Sequence, residues 1–389
     1  NEDQLLAEDV PIASITEKFG TPCFIYSKAA LENNYLAYKQ AFEGHPHLIC
    51  FAVKANSNLA VLNVLANLGA GFDIVSGGEL SRVLAAGGNP NKVIFSGLGK
   101  TTAEICEGLD ADIHCFNVES EAELERINEV ALSKHKIAPV SIRVNPDVDA
   151  ETHPYISTGL KENKFGVSAE PAFELYKRAM IMRGIRVTGI DFHVGSQLTS
   201  VGPFLNALHR VLQMNAQLSK EGISINHIDI GGGLGVTYEH EEPPTPHELV
   251  SLIKRKFSGL DLTIIIEPGR SIAANAGILV SRVEYLKTHE GKNFAIVDSA
   301  MNDLIRPALY GAWQKIITVN KAPNNNALPY EVVGPICESA DFLGKNRILD
   351  IKPGDLLAVQ SAGAETTAPC SARQTLTALF PPFSLCSPL

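Results

Sequence analysis

Eight short apolar runs alternate with stretches of helical periodicity, and this alternation constrains the fold more than any other feature of the sequence. Most of the runs are rich in Val, Ile, Leu and Phe, and most lead into a polar or glycine-containing turn. Strand–helix alternation repeated eight times predicts a (β/α)8 barrel, a TIM-like fold of the α/β class. The predicted strands are 47–54, 71–76, 92–97, 112–118, 138–145, 187–195, 226–231 and 262–267.

Amphipathic helices are predicted between these strands. One begins after the capping residue Ser27, another spans 119–134, and a third spans 203–220. An open, doubly wound sheet is the alternative arrangement. No G-x-G-x-x-G motif follows the first strand, which weakens the case for a dinucleotide-binding sheet of that kind.

The pattern changes after about residue 275, where helical periodicity fades and β-like segments dominate. The sequence therefore predicts a barrel over 28–275, with 1–27 and 276–364 forming a C-terminal all-β domain. An atypical tail over 365–389 would leave that domain incomplete at its end. The predicted β segments are 278–287, 293–298, 314–320, 330–334 and 355–360.

Composition excludes several classes of function. The 389 residues carry a formal net charge of −10, which disfavours nucleic-acid binding, and no apolar stretch approaches the ~18 residues of a membrane span. The seven cysteines include no C-x-x-C pair and the eleven histidines no H-E-x-x-H motif, so neither a disulfide framework nor a metal site is predicted. A cytoplasmic location is expected, and a plastid-targeting segment stays open because the sequence begins at Asn1.

Lys54 ends the first apolar run and is followed by the polar turn Ala55-Asn56-Ser57-Asn58. It is expected at the carboxyl end of a parallel strand, where barrels of this class place their chemistry. A desolvated lysine loses pKa and becomes a nucleophilic amine, which condensation with a carbonyl group requires. The alternative is a structural lysine that pairs with an acid or extends into solvent.

Other residues with chemical potential also fall at predicted strand ends. Each has a plain structural reading: Asp73 and His193 as hydrogen-bonded core residues, Glu267 as an ion-pair partner of Arg270, and the triple glycine as a tight turn. In a closed barrel, however, all these ends converge on one mouth. An amine, a glycine cradle for an anion, an imidazole and a carboxylate together match pyridoxal phosphate. The residues concerned are Asp73, His193, Gly231, Gly232, Gly233, Glu267, Gly269 and Arg270.

Five motifs in a fixed order resemble the fold-type III pyridoxal-phosphate decarboxylases, and within them most closely the diaminopimelate decarboxylases. The likeness covers roughly residues 5–363, and the segment 158–166 also resembles a loop of that family. The Cys-Glu-Ser-Ala-Asp form at 337–341 favours diaminopimelate over ornithine as the substrate. The motifs are Phe51–Asn56, Phe192–Gln197, Gly231–Gly233, Glu267–Arg270 and Gly334–Ser339.

The resemblance implies a role for each matching residue. Lys54 would carry the cofactor, His193 would stack on its ring, and Glu267 would pair with the ring nitrogen. The glycines 231–233, with Gly269 and Arg270, would hold the phosphate, and Asp73 and Ser196 are also expected to contact the cofactor.

The resemblance also assigns the substrate contacts. Arg270, Arg306 and Tyr310 would bind substrate carboxylates, and Glu338 would meet the distal amino group. Cys337 would protonate the substrate carbon after CO₂ leaves. Cys337 and Glu338 reach across a homodimer interface in this family, so a homodimer with shared active sites is implied.

The sequence departs from the family pattern after Ala364, where a tyrosine–glycine pair is expected and Glu365-Thr366 stands instead. Beside decarboxylation of meso-2,6-diaminopimelate to L-lysine, this departure keeps open a catalytically weak, pyridoxal-phosphate-binding homologue. A decarboxylase of another basic amino acid, namely ornithine, arginine or carboxynorspermidine, is a separate alternative.

Overall fold

The computed structural model describes residues 4–148, 164–320 and 326–364. The contacts divide these described residues into two compact units: one holds those within 33–237 and 241–272, and the other holds those within 4–32, 238–240 and 273–364. The domain boundaries at 28 and 275 stay a prediction from the sequence. The tail at 365–389 and most of the motif at 158–166 lie outside the described residues.

The chain begins with two short paired strands, a helix and a further strand. A longer helix follows, and its first turn is capped as predicted, because the Ala30 N–H donates to Oγ of Ser27 at 3.0 Å. These elements are β1 (Leu6–Ala7), β2 (Val10–Pro11), α1 (Ile12–Phe19), β3 (Cys23–Tyr26) and α2 (Lys28–Ala41).

Eight parallel strands then form a closed barrel, as the alternation predicts. Each strand pairs with its neighbours in sequence order, and the pairing of the sixth strand with the fifth and of the eighth with the first closes the cylinder. The barrel strands are β4 (His47–Ala52), β5 (Gly71–Ile74), β6 (Val93–Phe95), β7 (Cys115–Val118), β8 (Ala138–Asn145), β10 (Ile185–Asp191), β11 (His227–Asp229) and β12 (Thr263–Ile266), and the two-residue β9 (Val167–Ser168) pairs with the end of β8.

Helices connect the barrel strands. Side-chain caps begin several of them, including a reciprocal capping box between Thr101 and Glu104. None of the helices in the described part of the chain is long and apolar enough to cross a membrane. The connecting helices are α3 (Leu59–Asn67), α4 (Gly77–Ala85), α5 (Thr102–Asp110), α6 (Glu121–Ser133), α7 (Ala169–Ile181), α8 (Gly202–Lys220) and α9 (Pro246–Lys256), and the short α10 (Arg270–Ala273) follows β12.

The barrel interior is apolar at its middle. Cys50, Ile94, Cys115 and Ile265 are fully buried and form one cluster. Side chains two residues further along these strands, toward the carboxyl end, include Asn117 and Glu267, which are also buried. Because successive inward-facing residues lie two apart on a strand, the apolar layer supports a polar layer directly beneath the barrel mouth.

The second unit is built on a seven-stranded sheet. Its order is β15-β18-β13-β14-β16-β17, with β3 also paired to β13, and only the β14–β16 pairing in it is parallel. Ile12, Ile15, Val280 and Val319 belong to its apolar core. Its later elements are β13 (Gly277–His289), β14 (Lys292–Val297), α11 (Arg306–Tyr310), β15 (Ile316–Thr318), β16 (Leu328–Val333), β17 (Phe342–Leu349) and β18 (Leu356–Val359).

The sequence pattern missed β3 and β17. The polar run Gly344-Lys345-Asn346-Arg347 interrupts the alternation within β17, and Asn346 has a positive φ of 54°. The pairing of β16 with β17 contains register shifts in the same region. An irregular strand of this kind has no period-two pattern, so only its pairing partner reveals it.

Candidate active site

Lys54 lies in a short 3-10 turn, Val53–Ala55, directly after β4 at the carboxyl end of the barrel. Its Nζ donates to Oδ2 of Asp73 at 2.9 Å. The lysine side chain is 51% exposed, whereas that of Asp73 is fully buried. The second carboxylate oxygen of Asp73, Oδ1, has no hydrogen-bond partner among the described residues. Asp73 therefore anchors the amine at the barrel mouth.

The charge of the Lys54 amine differs from our expectation. The sequence predicted that burial would lower its pKa. Burial by itself does lower this pKa, but the negative charges of Asp73 and Glu267 outweigh it and raise the pKa above its ordinary value. The prediction was wrong because it considered the apolar strand alone, without the carboxylates that barrel closure brings beside the amine.

Three carboxylates from neighbouring strands meet beneath the mouth. Asp191 ends β10, Asp229 ends β11, and Glu267 directly follows β12. One carboxylate oxygen from each lies within 4.8 Å of the other two, and all three side chains are buried. We call these three residues the carboxylate cluster.

The carboxylate cluster holds protons more tightly than free acids do. Burial, followed by the charge of Asp229, raises the pKa of Glu267 well above its usual range. Burial also raises the pKa of Asp229 to about 6 and that of Asp191 well above its ordinary value. A cationic N–H group beside Glu267 would favour its ionised form, which is the partner that a protonated pyridine nitrogen needs.

Arg143 is a charged residue of this region that the sequence pattern did not predict as a site residue. It lies in β8, and its Nη1 donates to Oε1 of Glu119 at 2.8 Å, while its Nε is 3.9 Å from Oδ2 of Asp191. The guanidinium therefore adds positive charge beside the carboxylate cluster. A signal was present in the sequence, because Ser141, Arg143 and Asn145 alternate with apolar residues along the strand.

His193 follows β10 and is half-buried at the same mouth. The Gly232 N–H donates to its Nδ1 at 3.2 Å, so the ring accepts at Nδ1 and carries its proton at Nε2. Burial, with the positive charges of Arg143 and Lys54, lowers the pKa of His193 well below its usual value. The imidazole is therefore neutral. A neutral ring suits stacking on an aromatic cofactor here, because a charged ring would be repelled by the cationic Lys54 and Arg143.

The triple glycine after β11 is required by close backbone contacts. A Cβ added at Gly232 would lie 2.1 Å from the backbone oxygen of Glu267, and one at Gly233 would lie 2.2 Å from that of Gly195. Gly233 also has a φ of +117°, which favours glycine. No side chain fits here, so the backbone itself lines this part of the mouth.

Two of the three glycine N–H groups donate within the protein. Gly231 donates to Oδ1 of Asp229 at 2.9 Å, and Gly232 donates to His193. The Gly233 N–H makes no hydrogen bond to any residue that the structure describes. Of the predicted phosphate contacts, Gly233 is therefore the donor best placed to meet an anion.

Arg270, directly after the Glu267-Pro268-Gly269 turn, contacts Ser196, which follows β10. Nη2 of Arg270 donates to Oγ of Ser196 at 3.0 Å, and the arginine is buried. A Cβ added at Gly269 would lie 2.9 Å from Cβ of Ala55 and 3.1 Å from that of Ala52. The turn after β12 therefore packs directly against the segment that carries Lys54.

The predicted substrate contacts other than Arg270 lie in the second unit. Arg306 begins α11 and is buried, and its guanidinium lies 4.9 Å from the ring centre of Tyr238 and 5.6 Å from that of Tyr310. These cation–π contacts hold the guanidinium between two aromatic rings.

Cys337 and Glu338 lie in the turn between β16 and β17, and both are exposed. The Cys337 thiol is free. The buried carboxylate of Asp341 fixes this turn, because it accepts the Met301 N–H at 2.7 Å and the Ile336 N–H at 2.8 Å. In the sequence, Asp341 stands out only as the last residue of the Cys-Glu-Ser-Ala-Asp motif. Its role as the acceptor that fixes this turn is visible only in the folded unit.

The barrel thus brings together the residues predicted to hold the cofactor, including Arg270, which is also predicted to bind substrate. The second unit carries the other predicted substrate contacts. The set at the barrel mouth offers an amine, a neutral imidazole, a backbone anion donor and a buried carboxylate, which fits pyridoxal phosphate. At the mouth are Lys54, Asp73, His193, Ser196, Gly231, Gly232, Gly233, Glu267, Gly269 and Arg270, and in the second unit are Arg306, Tyr310, Cys337 and Glu338.

Comparison with known proteins agrees with this chemistry. The family model "pyridoxal-dependent decarboxylase, pyridoxal binding domain" matches residues 28–274. The diaminopimelate decarboxylase of Pseudomonas aeruginosa is 58% identical over 363 residues, which cover 93% of this chain and 87% of that protein. That of Vibrio cholerae is 56% identical, with the same shares of each chain covered.

A solved structure has the same fold. The crystal structure of diaminopimelate decarboxylase from Helicobacter pylori complexed with L-lysine superposes with a TM-score of 0.88 at 43% identity, covering 91% of this chain and 89% of that one. An identity above half over nearly the whole chain is far more than a shared fold requires. The chain therefore belongs to the pyridoxal-dependent decarboxylases and, among them, to the diaminopimelate decarboxylase family.

Proposed function

We propose that this protein removes one carboxyl group from meso-2,6-diaminopimelate and releases CO₂ and L-lysine. The observation that carries the proposal is the convergence of Lys54, His193 and Glu267 at one barrel mouth, in a chain that is 58% identical to a diaminopimelate decarboxylase. A protein that only binds pyridoxal phosphate, without catalysing a reaction, has no need of the polar residues predicted to contact substrate around Arg306 and Cys337.

Pyridoxal phosphate, when bound, supplies an aldehyde and an electron-withdrawing ring that takes up the electron pair left by departing CO₂. Lys54 would hold the cofactor, and Asp73 orients the lysine amine through the 2.9 Å contact. The neutral His193 would lie against the cofactor ring, and Glu267 would keep a proton at the ring nitrogen. The Gly233 N–H, with Arg270 and Ser196, would hold the phosphate.

Substrate selectivity depends on charges at both ends of diaminopimelate. Arg270, Arg306 and Tyr310 bind its carboxylates, and the carboxylate of Glu338 accepts a hydrogen bond from the distal ammonium group. Diamines or amino acids that lack the distal carboxylate would leave Arg306 without its anion. An unpaired charge of this kind costs about 3–5 kcal/mol when it is buried, which gives strong discrimination.

Cys337 donates the proton that replaces the lost carboxylate, and we propose that it does so in the active site of a partner subunit. The exposed thiol on a turn fixed by Asp341 supports this role. Mixing inactive Lys54→Ala and Cys337→Ala proteins tests it. A homodimer with shared sites restores up to about a quarter of the activity, because one site in four then has both residues, whereas sites built within one chain restore none.

A panel of substrates tests the reaction itself. Purified protein is incubated with pyridoxal phosphate and meso-diaminopimelate, and CO₂ and L-lysine are measured, with ornithine, arginine and carboxynorspermidine in parallel. We expect turnover of diaminopimelate alone. Faster turnover of another amino acid would replace the proposed substrate, and cofactor binding without any turnover would favour the weak-homologue reading.

We also propose a cytoplasmic location, as the sequence suggests. Five cysteines in the described part of the chain carry free thiols, which fits a reducing compartment. Fractionation of the native host with an antibody against this protein tests the assignment.

A further inference from the structure

A second cavity opens at the amino-terminal ends of the barrel strands, opposite the mouth that carries Lys54. Its volume is about 610 Å³, within the range of roughly 300–1,000 Å³ typical of small-molecule sites. The lining includes Pro139, Arg186, His227 and Thr263, each within the first two residues of its strand. None of these residues takes part in the proposed decarboxylation.

His227 is the most deeply buried polar group of this cavity, with 3% of its surface exposed. Its Nε2 lies 4.0 Å from Sγ of Cys115, and the imidazole ring makes no other hydrogen bond to a residue within 4–148, 164–320 or 326–364. Burial lowers its pKa to about 3, so the ring is neutral. A buried imidazole with so little bonding is unusual, because buried polar groups normally have partners.

The barrel makes room for this imidazole. A Cβ added at Gly189 would lie 2.1 Å from Nε2 of His227, so glycine is needed on the facing strand β10. The ring of His114 lies 5.4 Å from that of His227 and also lines the cavity. Barrel interiors are usually filled by branched apolar residues, so two histidines and a glycine here are a departure from simple packing.

The charged side chains of the cavity leave one positive charge uncompensated. Nζ of Lys136 pairs with Oδ1 of Asp112 at 2.9 Å, which neutralises both groups. Arg186, in contrast, has no ion pair with any residue that the structure describes. A cationic site in a chain of net charge −10 favours an anionic ligand locally.

We propose that this cavity binds a small organic carboxylate, with Arg186 holding the carboxylate and His227 bonding a polar group at the other end of the ligand. The guanidinium matches a carboxylate through two parallel hydrogen bonds. Ile113, Phe116 and Pro139 supply apolar walls for the body of the ligand. The neutral imidazole accepts from or donates to a hydroxyl without adding charge.

Calorimetric titration of the holoenzyme with 4-hydroxybenzoate tests the proposal, because this probe has a carboxylate, a flat body and a distal hydroxyl. We expect binding to the wild-type protein, and binding weaker by about tenfold or more for Arg186→Gln. Arg183→Gln is the matched control, since Arg183 is an exposed arginine close in sequence that does not line the cavity. It should bind as the wild type does.

Two further ligands separate the contributions of charge and hydroxyl. 4-Hydroxybenzamide has the same shape without the charge and should bind at least about tenfold more weakly, and benzoate lacks the group that meets His227 and should also bind more weakly. The proposal is overturned if 4-hydroxybenzoate does not bind, if the amide binds equally well, or if Arg186→Gln leaves the affinity unchanged. The last result would place the probe elsewhere, for instance at the opposite mouth.

Discussion

The ion pair between Lys54 and Asp73 sets the charge of the reactive amine. The two groups come from adjacent strands, and the 2.9 Å contact places a full negative charge against the ammonium. Glu267 adds to the same effect, and together they raise the pKa of Lys54 against the opposing effect of desolvation at the barrel mouth. The amine is thus held in position by charge, and it must give up a proton before it reacts with an aldehyde.

Lys54→Ala tests this residue directly. We expect the visible absorbance of bound cofactor to be lost and decarboxylation to fall by at least about 10³-fold, because the attachment point is gone. Lys92→Ala is the control, since Lys92 donates to the Gly69 carbonyl at the amino-terminal end of β6 and should leave both properties intact. A variant at 54 that keeps the cofactor spectrum would contradict the assignment.

Gly232 is a position where the surrounding backbone leaves no room for a side chain. A methyl group at 232 would collide with the backbone oxygen of Glu267, and backbone on both sides cannot move aside easily. We expect Gly232→Ala to destabilise the protein by about 1–3 kcal/mol and to weaken cofactor affinity by about tenfold or more.

Absorbance titration of the cofactor and urea unfolding measure the two effects of Gly232→Ala. Gly99→Ala serves as the control, because a Cβ added at Gly99 meets nothing within 4 Å. Equal cofactor affinity in Gly232→Ala and wild type would show that this turn does not shape the cofactor site.

At the scale of elements, the turn between β16 and β17 depends on one buried carboxylate. Asp341 accepts backbone N–H groups from Met301 and Ile336, which come from two different segments. The turn it closes carries Cys337 and Glu338. The position of these two exposed residues is therefore set by an acid that need not touch any ligand.

Asp341→Ala should affect turnover more than cofactor binding. Two backbone N–H groups lose their acceptor, at about 1–3 kcal/mol for each group left unsatisfied. We expect kcat to fall by about tenfold or more while cofactor affinity stays within about twofold of wild type, as single-turnover kinetics and absorbance would show. Asp355→Ala removes a similar turn contact to the Lys352 N–H and should leave kcat unchanged. A parallel loss of cofactor affinity in Asp341→Ala would point to unfolding of the unit.

For the whole molecule, the carboxylate cluster makes stability depend on pH. Burial raises the pKa of Asp229 to about 6, above its ordinary value of about 4. Between these pH values the folded protein binds more protons than the unfolded chain, so the free energy of unfolding falls as pH rises.

Asp229→Asn isolates this effect. In cofactor-free protein, we expect the wild type to lose up to about 3 kcal/mol of stability relative to the variant as pH rises from about 4 to 7. Urea unfolding of both proteins at several pH values measures the difference. A difference that stays constant across this range, or grows in favour of the wild type, would show that folding does not raise the pKa of Asp229.

The sequence by itself determined the barrel, the strand ends that carry Lys54, His193 and Glu267, and the family. Periodicity and glycine-containing turns are local properties, and motifs keep their order along the chain, so both can be read without coordinates. The helix cap at Ser27 and the strand β8 at 138–145 were predicted for the same reason.

The tertiary structure alone decided the interactions among residues far apart in sequence. Barrel closure brings Asp191, Asp229 and Glu267 within 4.8 Å of one another, places Arg143 beside them, and reverses the expected pKa shift of Lys54. The amino-terminal cavity around His227 is equally invisible in the sequence. Distance and burial, which set these charges and spaces, exist only once the cylinder is closed.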